Sequence, residues 1–341
     1  MPEPAPPAAR SLREPRDPRA TPEILAVAEA TRAITDEVGS VIVGKKDVLR
    51  KVTLGILANG HILFEDFPGL AKTLMANMFA MTLGARFARI QFTPDLLPSD
   101  ITGSYIFHQQ SSEFKMREGP IFSNVILADE INRAPPKTQA ALLEAMQEGQ
   151  TTIEGRTHKL PRPFLVLATQ NPIEYEGTYP LPEAQMDRFI MRLSVGYPTE
   201  PEEAEILARR DARHKDESQV RVLSDPARVV ALQQALETVA LGADIRAYIA
   251  RIVARTRNDP RILVGASPRG SLALFKLAKA NAAASGRGYV VPDDVKSMSG
   301  PALAHRIILG PEARLRNTRA DDVVAEIVGG TATPRVQPET A

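Results

Sequence analysis

The chain has 341 residues, of which 43% are hydrophobic and 24% are charged, a balance typical of a soluble globular protein. This composition excludes a wholly disordered or fibrous chain. The 42 Lys and Arg residues nearly match the 41 Asp and Glu residues, so the net charge of +1 gives no overall attraction to nucleic acid or to an anionic membrane. The absence of cysteine excludes disulfides, thiolate metal sites and cysteine nucleophiles.

The two ends of the chain differ in composition from the rest. Residues 1–20 alternate Pro, Ala and Arg with almost no large apolar side chain, which predicts a disordered tail, and residues 331–341 are similar. The first segment lacks the apolar stretch of a signal peptide. No apolar run reaches the roughly 18 residues that a membrane span needs. These features predict a cytoplasmic protein that does not insert into a membrane.

Helical patterning begins at Thr21, where a cap residue, a first-turn proline and an acidic residue follow one another. A second amphipathic helix is predicted over 46–59. Short apolar runs bounded by turn residues then predict strands at 61–64, 88–92, 124–128 and 164–168. Because helical stretches separate these strands, we expect a parallel sheet covered by helices on both faces. The stretch 151–160 instead predicts a hairpin around Gly155.

Beyond residue 198 the pattern changes to helical periodicity with few strand signals. Helices are expected over 231–257 and over 270–286. The sequence therefore predicts two domains of ordinary size, an α/β core over 21–198 and a smaller all-helical domain over 199–330.

The run HILFEDFPGLAKTLMANMFA passes from a strand through a Pro-Gly loop into a helix that opens at Lys72 and Thr73. It resembles a phosphate-binding loop, in which backbone N–H groups and the helix dipole face a phosphate. Lys72 would reach the β- and γ-phosphates of ATP, and the Thr73 hydroxyl would ligate Mg²⁺. Asp66 and Ala71 occupy two glycine positions of the general pattern. If position 71 needs a positive φ, alanine there costs roughly 1 kcal/mol. The alternative is a fortuitous turn.

Two further strands end in polar residues. The run VILADEINR places Asp129 and Glu130 at a strand end, and FLVLATQNP places Asn171 just beyond the next strand. Parallel sheets bind ligands at the carboxyl ends of their strands, so these side chains and Lys72 are expected to converge. Asp129 would hold Mg²⁺, Glu130 would orient the attacking water, and Asn171 would hold that water near the γ-phosphate. The alternatives are a helix cap for the carboxylates and a turn for the amide.

With these residues in view, the chain resembles the MoxR family of AAA+ ATPases from about residue 21 to residue 330. Long strings carry the resemblance: RIQFTPDLLPSDITG, GPIFSNVILADEINRAPPKTQAALLEAMQE, ATQNPIEYEGTYPLPEAQMDRF and GASPRGSLAL. It implies an AAA+ P-loop αβα core with a parallel sheet and a helical lid. It also implies that the hairpin at 151–160 is the insert in helix 2 that is found in this branch of AAA+ proteins.

The resemblance also implies site residues. ATP contacts fall on Gly44, Pro68, Gly69, Leu70, Ala71, Lys72, Thr73 and Asp129, and Mg²⁺ ligation falls on Thr73 and Asp129. Catalytic roles fall on Glu130, on Asn171 as sensor 1, on Arg188 as the arginine finger and on Arg269 as sensor 2. A guanidinium fork stabilises the charge that phosphoryl transfer spreads over the phosphate oxygens. Whether Arg269 acts on its own subunit's nucleotide or on a neighbour's stays open.

The resemblance further implies a self-assembled ring, usually a hexamer, that couples ATP hydrolysis to remodelling a partner or loading its cofactor or metal. Proteins with von Willebrand factor A domains are the partners it suggests, and no specific nucleic acid is expected. The alternatives are a DNA-acting AAA+ motor, which the near-zero net charge argues against, a nucleotide-sensing scaffold, and a metal-chelatase-type motor subunit.

Overall fold

The computed structural model describes residues 19–171 and 178–334. The strands are β1 (His61–Glu65), β2 (Phe87–Gln91), β3 (Gly103–His108), β4 (Glu113–Glu118), β5 (Val125–Asp129), β6 (Gln150–Ile153), β7 (Arg156–Lys159), β8 (Leu165–Gln170), β9 (Phe189–Leu193), β10 (Ile262–Val264) and β11 (Ile308–Leu309). Five of them form one parallel sheet in the order β2-β5-β8-β1-β9.

Helices surround this sheet and form most of the second half of the chain. They are α1 (Pro22–Gly39), α2 (Lys46–Leu57), α3 (Lys72–Thr82), α4 (Pro98–Thr102), α5 (Pro136–Glu148), α6 (Glu183–Met186), α7 (Glu200–Arg213), α8 (Pro226–Ala235), α9 (Ala243–Asn258), α10 (Pro268–Ala284), α11 (Pro292–Leu303), α12 (Pro311–Leu315) and α13 (Ala320–Gly329). The Thr21 hydroxyl caps α1 by accepting from the Ile24 N–H, as predicted.

The sheet alternates its side chains between two apolar layers, as the period of a strand requires. Ile62 and Phe64 of β1 pack with α1, α2, α3 and the second half of the chain, whereas Leu63 packs with α4 and α5 on the other face. The four strands predicted from apolar runs are confirmed as β1, β2, β5 and β8. The sequence analysis missed the edge strand β9, in which Arg192 interrupts the apolar run to pair with Glu65.

The second half of the chain packs on α1 and α2 through α8 and α10. It is helical apart from the two-stranded antiparallel pair β10–β11, which the prediction of an all-helical lid did not include. The continuous helix expected over 231–257 is two helices, because the chain turns between α8 and α9, where Gly242 precedes the new helix in an extended conformation. We propose the core–lid boundary at 198–199, supported by the end of the sheet at β9.

Two hairpins extend from the core. The predicted one is confirmed as β6–β7, but it lies between α5 and β8, after the strand that carries Asp129. Counting one helix after each core strand, α3 is the first and α4 is the second. The prediction that the hairpin at 151–160 is the helix 2 insert is therefore wrong, since β3–β4 is the hairpin that follows α4. Tyr105 joins the two hairpins through a 3.3 Å hydrogen bond between its hydroxyl and His158 Nε2.

A buried ion pair fastens the lid to the core. The Arg306 side chain, which is 3% exposed, donates from Nε to Asp187 Oδ1 at 2.7 Å. Asp187 Oδ2 also accepts from the Ser267 hydroxyl at 2.7 Å, and Ser267 caps α10. The loop before β9 and the start of α10 are therefore held side by side.

Most of both predicted tails, 1–18 and 335–341, lies outside the described residues. At their inner edges, the Arg19 guanidinium lies over the Tyr289 ring, and Thr331 is buried with its hydroxyl on the Ile327 carbonyl. The folded part therefore includes Arg19 and Thr331, which the sequence assigns to the tails. In the two ranges that the structure describes, none of the helices has the length and apolar character needed to cross a membrane.

His61 provides a test of the core in acid. Its Nδ1 accepts from the Val166 N–H at 3.1 Å and its Nε2 donates to the Met146 carbonyl at 3.0 Å, so the ring must be neutral to make both bonds. Burial lowers the pKa of His61 to about 4. The unfolded chain, with an ordinary histidine pKa near 6.5, therefore binds more protons between pH 6.5 and pH 4.

We expect His61 to contribute stability that is present above pH 6.5 and is lost as the pH falls towards 4, on the order of 1–3 kcal/mol. His61→Gln should flatten the dependence of the urea midpoint on pH over this window, whereas His108→Gln, on the exposed end of β3, should leave it unchanged. Equal slopes for His61→Gln and the parent chain would contradict the assignment.

Candidate functional site

The loop between β1 and α3, residues 66–71, is called the phosphate loop below. It ends where α3 begins at Lys72, whose side chain is nearly buried. Lys72 Nζ donates to the carbonyls of Asp66 at 3.0 Å and Phe67 at 2.7 Å. Burial lowers the pKa of Lys72, and the negative charges of Asp66, Asp129 and Glu130 oppose this effect. The first-turn N–H groups of α3 have no acceptors within the helix and present positive charge to an anion.

Two residues of the phosphate loop have a left-handed backbone conformation. Ala71 has φ +56° and ψ +20°, so the condition stated for an alanine penalty is met. Gly69 has φ +83°, and no atom beyond its two chain neighbours lies within 4 Å of where a Cβ would stand. The main chain at Gly69 is therefore open to a ligand.

Asp66, which stands where the general phosphate-loop pattern has glycine, has a structural role. Asp66 is 6% exposed, and its carboxylate accepts from the Ser194 hydroxyl at 2.8 Å and from the Val195 N–H. These bonds tie the start of the phosphate loop to the residues that follow β9. The sequence showed only a departure from the glycine pattern, because the partners of Asp66 lie more than a hundred positions away.

The acidic pair is held by the neighbouring strand. Thr169, at the end of β8, donates from its hydroxyl to Asp129 Oδ1 at 2.7 Å and accepts from the Glu130 N–H at 2.8 Å. Glu130 has φ +57°, a conformation that is uncommon outside glycine and that clusters at functional sites. Thr169 thus fixes Asp129 and the backbone of Glu130 together, a role that the sequence analysis did not identify.

These residues line one cavity of about 430 Å³, called the Lys72 cavity below. From the predicted site it contains Pro68, Gly69, Leu70, Ala71, Lys72, Thr73, Asp129, Glu130 and Asn171. Gly44 is not among its lining residues. It lies instead against Glu202, whose Oε1 would be 1.9 Å from a Cβ at that position. The predicted convergence of Lys72, Asp129 and Asn171 at the carboxyl edge of the sheet is therefore present.

The donors in the Lys72 cavity suit Mg²⁺. The Thr73 hydroxyl and the Asp129 carboxylate are hard oxygen ligands, and Mg²⁺ is commonly bound by one or two such groups together with water and phosphate oxygens. Within residues 19–171 and 178–334, no group of three or more His, Asp or Glu residues could hold a metal ion without such help. The residues present therefore fit a metal ion that arrives with a nucleotide.

Strand β2 contributes two polar residues that the sequence analysis did not single out. Arg89 lines the Lys72 cavity and forms a 2.7 Å ion pair with Asp129. Gln91 donates from Nε2 to Glu130 Oε2 at 2.7 Å, and Arg133 pairs with the same oxygen at 3.1 Å. Both β2 residues belong to the string RIQF, in which polar side chains alternate with apolar ones, and this alternation was the available signal.

The two predicted arginines lie elsewhere. Arg188 and Arg269 line a second cavity, of about 680 Å³, at the amino edge of the sheet between core and lid. It is called the Arg188 cavity below. His61, at the start of β1, lines this cavity, whereas Asp66, just past the end of β1, lines the Lys72 cavity. The two cavities are thus separated by about the length of a five-residue strand, roughly 16 Å.

The Arg188 cavity is rich in positive charge. Arg188 donates to the Leu143 carbonyl, and within the described part of the chain its buried Nε has no acceptor. Arg269 is exposed and reaches Gln147 at 3.4 Å. Burial and the charge of Arg269 lower the pKa of Arg188. The nearby carboxylates of Glu148 and Glu144 oppose this effect. The two guanidinium groups therefore lie near each other at the opening of the cavity.

Comparisons with known proteins agree with this geometry. A family model described as the ATPase family associated with various cellular activities (AAA) matches residues 61–191, and a model of the AAA lid domain matches residues 254–327. The chain is 47% identical over 299 residues to protein YeaC of Bacillus subtilis, covering 88% of this chain and 93% of YeaC. It is 43% identical over 309 residues to Chaperone MoxR1 of Mycobacterium tuberculosis, covering 88% of this chain and 81% of that protein.

Among solved structures, a crystal structure of a candidate ATPase from Cytophaga hutchinsonii matches with a TM-score of 0.85 at 42% identity, covering 92% of this chain and 97% of that one. A parallel sheet, a phosphate loop after β1, an acidic pair after β5 and a helical lid together define an AAA+ ATPase. Within this class, the chain belongs to the MoxR family, which confirms the resemblance drawn from the sequence.

The strain at Ala71 gives a test of the phosphate loop. Ala71 is exposed, so replacing it with glycine removes no packing and relieves the left-handed penalty. We expect Ala71→Gly to raise the free energy of unfolding by roughly 0.5–1 kcal/mol, the glycine entropy offsetting part of the gain. Ala254→Gly, at an exposed position inside α9, should lower it by about 1 kcal/mol. Urea denaturation measures both, and a loss for Ala71→Gly equal to that of Ala254→Gly would refute the strain.

Proposed function

We propose that the chain binds and hydrolyses Mg–ATP in the Lys72 cavity, within a ring in which Arg188 and Arg269 complete the site of a neighbouring subunit. The observation that carries the proposal is the division of the predicted catalytic residues between two edges of one sheet. One subunit holds Lys72 and the acidic pair at the carboxyl edge and the two arginines at the amino edge. A hexamer is the assembly that the family resemblance favours.

Each residue of the Lys72 cavity has a distinct task in this proposal. Lys72 leaves the carbonyls of the phosphate loop and binds the β- and γ-phosphates, while Thr73 and Asp129 hold Mg²⁺. When bound, Mg²⁺ neutralises charge on the phosphate oxygens. Glu130 orients the attacking water and accepts its proton, and Asn171 positions the same water.

The arginines act in trans because neither lines the Lys72 cavity of its own subunit. The orphaned Nε of Arg188 and the exposed guanidinium of Arg269 are matched to the negative charge of a polyphosphate presented by a second copy of the chain. Asp187, the residue before Arg188, pairs with Arg306 and accepts from Ser267, which lies two residues before Arg269. This arrangement would present the two arginines as one unit across a subunit interface.

The work of the ring is remodelling a partner protein or loading its cofactor or metal. The name of the Mycobacterium relative, Chaperone MoxR1, supports this part of the proposal. A partner with a von Willebrand factor A domain remains a prediction of the family resemblance. Since hydrolysis does work only if the partner binds the two nucleotide states with different affinity, such a partner must favour one of them.

The first test separates nucleotide binding from hydrolysis. Lys72→Ala should weaken binding of a fluorescent ATP analogue roughly ten- to a hundredfold, because a charged contact to phosphate is lost. Glu130→Gln should bind it normally but hydrolyse ATP roughly a hundredfold more slowly or worse.

The Glu130→Gln chain in ATP should also retain a von Willebrand factor A partner more tightly than the ADP form does. Unchanged nucleotide affinity in Lys72→Ala would refute the site, and equal partner affinity in both states would refute remodelling.

The second test addresses the ring. Arg188→Ala should lower ATPase activity by about a thousandfold, the scale of an arginine finger. Mixing Arg188→Ala with Glu130→Gln subunits should restore activity, since some interfaces then join an intact Glu130 to an intact Arg188. Arg209→Ala is the matched control and should keep full activity, because Arg209 pairs with Glu205 and donates to the Ser40 carbonyl but lines neither cavity. No recovery in rings shown to contain both subunits would place Arg188 outside the neighbour's site.

A further inference from the structure

Three polar side chains form a line across the carboxyl edge of the sheet, from β8 through β1 to β9. The Gln170 amide at the end of β8 donates from Nε2 to Glu65 Oε1 at 2.7 Å. The other oxygen of the same carboxylate, Oε2, accepts from Arg192 Nη1 of β9 at 2.6 Å. Glu65, at the end of β1, therefore joins both neighbouring strands through its two oxygens.

The register of the strands produces this line. Gln170 is the partner of Glu65 in the pairing of β8 with β1. Arg192 is the partner of Leu63 in the pairing of β1 with β9. Leu63 and Glu65 are two apart on one strand and share a face of the sheet, and paired residues of neighbouring strands share a face as well. The three polar side chains consequently stand on the same face, where the long arginine side chain reaches one pair further along the sheet.

The line continues into the lid. Arg192 Nη2 donates to Asp321 Oδ2 at 3.1 Å, and Asp321 lies in the first turn of α13. A carboxylate in the first turn is also stabilised by the helix dipole. The guanidinium of Arg192 is thus divided between a carboxylate of the core and a carboxylate of the lid, and it links the last helix of the lid to the strand that enters the phosphate loop.

On the core side, the line adjoins residues of the proposed nucleotide site. Glu65 is followed by Asp66, the first residue of the phosphate loop, and Gln170, which lines the Lys72 cavity, is followed by Asn171. The start of the phosphate loop has a further anchor, since the Asp66 carboxylate is bonded to the residues that follow β9. Loss of the line should therefore displace Asn171 more than it displaces the phosphate loop.

We propose that Arg192 is a positioning residue for ATP hydrolysis. It holds the Glu65 carboxylate, which in turn holds Gln170 and so fixes the end of β8 that carries Asn171. This inference rests on the proposed function of the Lys72 cavity. A water held by Asn171 has to meet the γ-phosphate in line, and a misplacement of about 1 Å can cost on the order of a hundredfold in rate. Through Arg192, the lid acts on hydrolysis in its own subunit, whereas Arg269 acts on a neighbour.

The experiment measures kcat and KM for ATP in the full chain, together with its affinity for the fluorescent ATP analogue. Arg192→Gln should lower kcat about ten- to thirtyfold and change KM and analogue affinity by less than about threefold, because Asn171 shifts while the phosphate loop keeps its other anchor. Arg192→Lys keeps a charge that can pair with Glu65, and it should return kcat to within about threefold of the parent chain.

The lid half of the link is tested on the surface of α13. Asp321→Asn leaves the pair of Arg192 with Glu65 and should lower kcat about two- to fivefold, the scale of a partly exposed ion pair. In the Arg192→Gln chain the same substitution should have no further effect, because Asp321 acts through Arg192. Asp322→Asn is the matched control, since it removes the same charge at the next, exposed position and should keep the parent kcat.

The outcomes separate this inference from the proposed function. A kcat for Arg192→Gln within about twofold of the parent, or an equal fall in kcat and analogue affinity that Arg192→Lys does not restore, would overturn the positioning role. Additive effects of the Arg192 and Asp321 substitutions, or an equal loss in Asp322→Asn, would overturn the link to the lid. Each of these results leaves the proposed function intact, whereas a parent chain that hydrolyses no ATP would overturn both.

Discussion

The parallel pairing of five strands is the constraint on which the rest of this structure depends. Since every strand of the sheet runs the same way, all of their carboxyl ends meet at one edge and all of their amino ends at the other. The phosphate loop, the acidic pair and Asn171 follow three strands and share the first edge. Arg188 precedes β9 and is therefore placed at the second edge, beside the lid. The distribution of charge over the molecule is a direct result of strand direction.

In the ring proposed above, this distribution would give each subunit two incomplete and complementary surfaces. The Lys72 cavity offers oxygen ligands and a positive loop to a nucleotide, while the Arg188 cavity offers two neighbouring guanidinium groups, of which the Arg188 Nε has no acceptor among the described residues. The lid packs on α1 and α2, and the buried Asp187–Arg306 pair fixes it at the amino edge. The lid therefore places Arg269 beside Arg188, where both could belong to the subunit interface proposed above.

The sequence predicts the site where chemistry follows local pattern. Lys72, Asp129, Glu130 and Asn171 stand just beyond apolar runs, and strand direction alone brings them together. Features that depend on distant partners could not be predicted in this way. The carboxylate of Asp66 accepts a hydrogen bond from the Val195 N–H, and the position of Arg269 depends on how the lid packs. The insert hairpin was misassigned because strands β3 and β4, which are largely exposed, lack the buried alternation that reveals core strands.

In the ring proposed above, strand β9 would have a mechanical consequence. Its far end is fastened to the phosphate loop, because Asp66 accepts from Ser194 and Val195, and its near end follows Arg188. A hydrogen-bonded strand is stiff along its length, so a displacement of the phosphate loop on nucleotide exchange would be transmitted along β9 to Arg188 at the opposite edge of the sheet. The position of Arg188 would then depend on the nucleotide bound to its own subunit, and the next subunit would respond to it. In the proposed ring, hydrolysis would then pass from one subunit to the next in order.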